Sequence, residues 1–129
     1  MSHVIFHSNL LSFINESTDY TKIESKFLNI SVDLRHIIRG EKIYKLEIAL
    51  KSTNPIEKKS AISFCNSIGS RLGYIASCLR QIKIYEKNNK PIPMDRDNLR
   101  KIYRDFSGID PEEAENSSEY YKDLALSYK

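Results

Sequence analysis

Eight side chains between residues 80 and 104 combine cations with phenol rings: Arg80, Lys83, Lys87, Lys90, Arg100, Arg104, Tyr85 and Tyr103. Cations of this kind neutralise phosphates and rings stack on bases, so a surface built from them suits RNA or DNA. They sit in a basic stretch. From Lys58 to Arg104 there are eleven basic residues against Glu86, Asp95 and Asp97, a net of +8, although the whole chain carries only +3. Residues 110–129 are the counterweight, with six acids and two lysines, a net of −4. The layout therefore has a second reading. A solvated basic helical face paired with an acidic C-terminal helix, within one chain or between chains, produces the same pattern.

Four other groupings invite chemistry. Arg35, His36 and Arg39 place an imidazole between two guanidinium groups. There the arginines could hold a phosphodiester while His36 acts as acid. No second general base stands beside them in sequence, and cations at a helix C-terminus are expected from the helix dipole alone. His3 and His7 are four residues apart, as two metal ligands on a helix would be, but lack a third ligand. Cys65 and Cys78 would be about 20 Å apart on one helix, too far for a disulfide. Neither belongs to a C-x-x-C, so both read as buried reduced thiols. Gly69 and Gly73 lack the Lys-Ser/Thr that follows a phosphate-binding loop. No metal, cofactor or catalytic residue is assigned on these grounds, and the chain reads as non-enzymatic, with a His36-centred phosphodiesterase as the minor alternative.

The elements that must position these residues are read from periodicity. Apolar residues make up 40% of the 129 residues, charged residues 29%, and Gly and Pro four each, which describes one ordinary soluble domain over residues 1–129. No apolar run is long enough to span a membrane, and the first residues have neither a basic leader nor a cleavage site, so a cytoplasmic location is expected. The strongest signal starts at Asn54-Pro55-Ile56-Glu57, an N-cap followed by Pro at the first helical position. From there Ala61, Cys65, Ile68, Leu72, Ile75, Leu79 and Ile82 step by 4 and 3 in alternation, so a long central helix runs to Asn88. Gly69, Gly73, Ala76 and Ile62 form an adjacent strip. Small side chains there let another helix approach closely, inside the protomer or across an interface.

Residues 19–50 support two readings. Tyr20, Ile23, Phe27, Ile30, Leu34 and Ile37 form a helical stripe, with Thr18, Asp19 or Thr21 as N-cap, Arg35, His36 and Arg39 in the last turn and Gly40 as C-cap. Against this, Leu28, Ile30, Val32 and Leu34, and then Tyr44, Leu46, Ile48 and Leu50, alternate with polar residues or small ones, which spells a hairpin over about 28–50 turning at Arg39-Gly40-Glu41. The helix is preferred because its caps agree at both ends. Further on, Asp95 is expected to cap a helix carrying Leu99, Ile102, Tyr103 and Phe106, ended by Gly108. Asp110-Pro111 opens an acidic helix or tail at about 110–129 with Ala114, Tyr121, Leu124 and Leu126 inward.

The expected fold is all-α, a single bundle of five or six helices around one long helix, with α+β containing the 28–50 hairpin as the alternative. The expected function is a helical interaction module, an adaptor, chaperone or regulatory subunit that is homo-oligomeric, because the long helix offers more apolar perimeter than short neighbours cover. Its partner would be another protein or a second copy of itself, with no membrane involved. A small RNA- or DNA-binding protein using the basic 58–104 segment is the alternative.

Overall fold

The computed structural model describes residues 21–25 and 29–129. It is mostly helical. A two-stranded antiparallel hairpin, β1 (Lys22–Ser25) and β2 (Ile30–Asp33), leads into α1 (Leu34–Ile38), α2 (Tyr44–Leu50), α3 (Pro55–Lys87), α4 (Asp97–Phe106) and α5 (Pro111–Ser127). Buried residues from both strands and all five helices join one hydrophobic cluster. Among the described residues no helix is long and apolar enough to cross a membrane.

The long helix forms as its sequence dictates. Asn54 accepts hydrogen bonds from the backbone N–H groups of Ile56 and Glu57 at 3.0 and 3.4 Å, and Pro55 occupies the first turn, where its missing N–H costs nothing. Ser52 reinforces the start by donating to the Glu57 carboxylate at 3.1 Å and accepting from the Asn54 N–H. Thirty-three residues later the helix closes on Asn89, whose φ of +53° is left-handed. The Asn89 N–H reaches the Glu86 carbonyl and the Lys90 N–H reaches that of Tyr85, so two terminal carbonyls are satisfied. Two stripes of α3 are buried, one through Ala61, Cys65, Ile68, Leu72, Ala76 and Leu79, the other through Ser60, Phe64, Ser67, Arg71, Ile75, Cys78 and Ile82. More than one neighbour is therefore needed to cover it, and α2, α4 and α5 all pack against it.

The preferred helix over 19–40 is corrected. Residues 22–25 and 30–33 pair as strands, with Ile23 opposite Val32 and both buried, while Lys22, Glu24 and Ser31 face out. Period-two burial around Ile23 and Val32 wins over the helical stripe because Asn29, at φ +51°, takes a left-handed turn conformation and breaks that stripe. The helix is confined to Leu34–Ile38, capped by Asp33, which accepts from the Arg35 N–H at 3.0 Å. Its C-terminal end agrees with the expectation: Gly40 has φ +98°, and the N–H groups of Gly40 and Glu41 reach the carbonyls of Ile37 and His36. The alternative hairpin over 28–50 is corrected as well. It has the right strand at 30–33 but the wrong partner and turn, and residues 44–50 are helical. There Leu46, Ala49 and Leu50 are buried at helical spacing, leaving Tyr44 and Ile48 in solvent. Tyr20, Phe27, Leu28 and the Thr18 and Asp19 caps lie outside the described residues.

Helix α5 makes the most extensive contact with α3. Asp110 caps it by accepting from the Glu112 N–H at 2.9 Å, with Pro111 in its first turn. Its inner face is Ala114, Ser118, Tyr121 and Ala125, spaced 4, 3, 4. Leu126, expected inward, is 63% exposed, and Leu124 is half-buried. Gly69 and Gly73 meet this face. A Cβ on Gly69 would stand 2.7 Å from Lys122 Cγ and 3.0 Å from the Ser118 carbonyl oxygen, and the Ser118 hydroxyl donates to the Gly69 carbonyl at 2.5 Å. Ala76 is fully buried and Ile62 is half-buried against the core. Helix α4 begins without a side-chain cap. Arg96, not Asp95, occupies the N-cap position, and Gly108 turns with φ +86° just beyond the end of α4.

Replacing Gly69 by Leu forces the two backbones apart and is expected to lower stability by about 2 kcal/mol. Gly73→Ala meets the Ser118 hydroxyl at 3.2 Å and the flexible end of Lys122 at 3.9 Å. It gains helix propensity, so it should stay within about 1 kcal/mol of wild type; thermal melts of the two variants check the contrast. Burial, joined by the charges of Tyr120, Cys65 and Glu47, pushes the Tyr121 hydroxyl up to about 12. In the unfolded chain it titrates near about 10, so stability present below that pH falls as pH rises toward the folded value. Tyr121→Phe should flatten this alkaline loss in melts recorded against pH.

Candidate binding groove

The last turns of α3, the loop 88–96 and the outer face of α4 enclose a groove of about 870 Å³. Its floor is apolar, with Ile82 and Tyr85 from α3, and so is its loop wall of Pro91, Ile92, Pro93 and Met94. The left-handed Asn89 reverses the chain, and the two prolines hold the next residues extended, so the loop forms a wall instead of extending α3. Ile92 packs against the core while Met94 is 81% exposed. Opposite, α4 buries Leu99, Ile102 and Phe106 and so turns Asp97, Arg100, Lys101 and Arg104 toward the groove, a 3, 1, 3 spacing that marks one helical face. Tyr103 completes the rim at 44% exposure.

Charge in the groove is positive. Lys101 bonds Asp97 at 2.9 Å across one turn, and this bond and charge hold the Asp97 carboxyl below its ordinary value. Arg104 pairs with its neighbour Asp105 at 2.9 Å. The Arg100 guanidinium rests on the Met94 sulfur, and Arg96 donates to Gln81 at 2.7 Å, tying the loop back to α3. Among the described residues, Lys90 makes no ion pair, and Glu86 is the other acid on the lining. The arrangement can hold an anionic ligand at its rim and apolar side chains on its floor.

Five of the eight residues singled out from sequence, Tyr85, Lys90, Arg100, Tyr103 and Arg104, line this groove. The other three do not. Arg80 pairs with Glu115, and Lys83 lies 4.0 Å from Asp110, so both face α5. Lys87 is exposed beyond the lining. Arg71, counted in the basic stretch, is fully buried and contributes nothing to the surface. Sequence reasoning missed Pro91–Met94 as a wall; an apolar run inside a loop, next to basic helices, is the signal that could have found it.

The second grouping has more structure than its sequence suggests. His36 Nδ1 is 3.0 Å from Glu41, and its Nε2 is 3.8 Å from Asp33. Asp33 also binds Arg35 at 3.2 Å. Partial burial raises the Asp33 carboxyl, but hydrogen bonds from the Arg35 side chain and backbone, with the charges of Arg35 and His36, outweigh it and leave it below its ordinary value. A carboxylate thus already stands between His36 and Arg35, where a phosphate would have to bind. Among the described residues no group of three or more His, Cys, Asp or Glu is placed to hold a metal ion; His3 and His7 lie outside them.

No family model matches the chain, and no curated protein or solved structure does either.

Both cysteines are buried and free. Burial pushes the Cys65 thiol up to about 12 and also raises Cys78, although a hydrogen bond with Tyr74 and the charge of Arg96 act the other way. Because the thiolate is the reactive form, a thiol reagent at mildly alkaline pH should label neither cysteine in the native protein and both in denaturant. Rapid native labelling at either position would contradict this packing.

Proposed function

We propose that the chain acts as one domain, a helical interaction module without enzymatic activity, and that the groove between α3 and α4 holds its partner. The partner is an acidic protein segment that sets apolar side chains on the groove floor. The observation that carries this reading is the pairing of an apolar wall built from Pro91, Ile92, Pro93 and Met94 with a rim of Lys90, Arg100 and Arg104. A cationic rim steers and orients an acidic partner, while apolar and aromatic anchors supply most of the affinity. Adaptor, chaperone and regulatory-subunit roles all use such a site, and a cytoplasmic setting suits two reduced thiols.

A second reading, RNA or DNA in the same groove, is favoured by Tyr103 and Tyr85 beside Lys90 and Arg100. Rings and cations are what single strands use. The apolar loop wall offers phosphates nothing, which ranks the protein partner first.

The test uses two labelled probes in fluorescence anisotropy: an amphipathic helical peptide of Glu and Leu, and a twenty-nucleotide oligothymidine. The peptide should bind, and Arg100→Glu with Arg104→Glu should weaken it at least about tenfold, roughly 1.4 kcal/mol. An unchanged affinity would remove the groove from consideration. Tight binding of the oligonucleotide without the peptide would replace the first reading with the second.

A further inference from the structure

We infer that the segment seated in the groove is the solvent face of α5 from a second copy of this chain. This rests on the groove reading above and names its occupant. Helix α5 commits Ala114, Ser118, Tyr121 and Ala125 to α3 and leaves an acidic face outside. On that face Glu112, Glu119 and Asp123 fall in line with Asn116 at spacings of 4, 3 and 4, and Tyr120 and Leu126 beside them are 54% and 63% exposed. Acid and exposed apolar side chains therefore share one helix surface, which is the composition that a groove with cationic rim and apolar floor accepts.

Among the described residues, the charge balance within one chain leaves both surfaces unfilled. Of the six acids between residues 110 and 129, Asp110 and Glu115 face Lys83 and Arg80. Glu112, Glu113, Glu119 and Asp123 make no ion pair among the described residues. Lys90 is in the same condition on the groove rim. A chain cannot satisfy these charges with its own α5, because that helix is packed along Gly69 and Gly73 of α3 with its first turns tied to Arg80 and Lys83. A second copy can. The seventeen residues of α5 span about 25 Å, long enough to lie along α4 and the loop wall. The contact joins two different surfaces, so two copies either dock reciprocally around a twofold axis, each α5 face in the other's groove, or extend head to tail.

The test is light scattering behind size exclusion on the full chain, over a range of concentrations and at low and high salt. The wild type should associate as concentration rises and dissociate as salt rises. Arg100→Glu with Arg104→Glu should be monomeric, and so should Glu119→Lys with Asp123→Lys. An equimolar mixture of the two double variants should associate again, because the acidic groove of one then meets the basic helix of the other. All these substitutions are at the surface, and circular dichroism melts close to wild type establish that the variants fold. A wild type that stays monomeric while the Glu/Leu peptide still binds would overturn the inference and leave the groove reading standing. If neither the peptide nor a second copy binds, both fall. Variants that still associate, or a mixture that does not, would place self-association on another surface.

Discussion

The approach of α5 to α3 at Gly69 sets the terms for everything packed around the long helix. Two backbones come close enough there for the Ser118 hydroxyl to reach a helical carbonyl, and the space for a Cβ is taken by Lys122 and the Ser118 carbonyl. Small residues on both sides make this contact: Gly69, Gly73 and Ala76 on one helix, Ala114, Ser118 and Ala125 on the other. Gly in a helix interior sacrifices propensity, so tertiary packing must offset the loss. Once α5 covers this strip, α2 and α4 have the remaining apolar arc of α3. The outer face of α4 is then left to border the groove.

The long helix was fully legible in the sequence because all its signals agree, from the Asn54-Pro55 start through the alternating 4 and 3 steps to the Asn88-Asn89 end. The region before it was not. Residues 22–33 carry a helical stripe and a strand alternation at once, and the choice depends on a left-handed turn at Asn29 and on the pairing of Ile23 with Val32, both of which need the folded neighbourhood. Residues 44–50 mislead in the opposite direction. Their alternation is real, but the surface they cover has the helical period, so Ala49 goes inward and Ile48 stays out. The Gly40 stop was readable from either side, since few residues other than Gly tolerate its φ.

The groove was half legible. Its cations and rings stand out by type, and five of eight come together because the loop folds α4 back beside the end of α3. Which cations remain outward could not be read from spacing. Arg80 and Lys83 find acids on α5, and Arg71 lies wholly in the interior. A guanidinium is amphipathic enough to be drawn into a core by its stem, and composition counts every charge as surface charge.

Pro91 and Pro93 have a kinetic side. Each fixes its own φ, and the two hydrogen bonds that close α3 anchor the chain just before them, so the wall stands in place before anything occupies the groove. An occupant need not order that loop, and the entropy cost of association is correspondingly smaller. With encounter governed by the charged rim and no slow rearrangement of the wall, differences in the hold on successive occupants would register in how long each one stays.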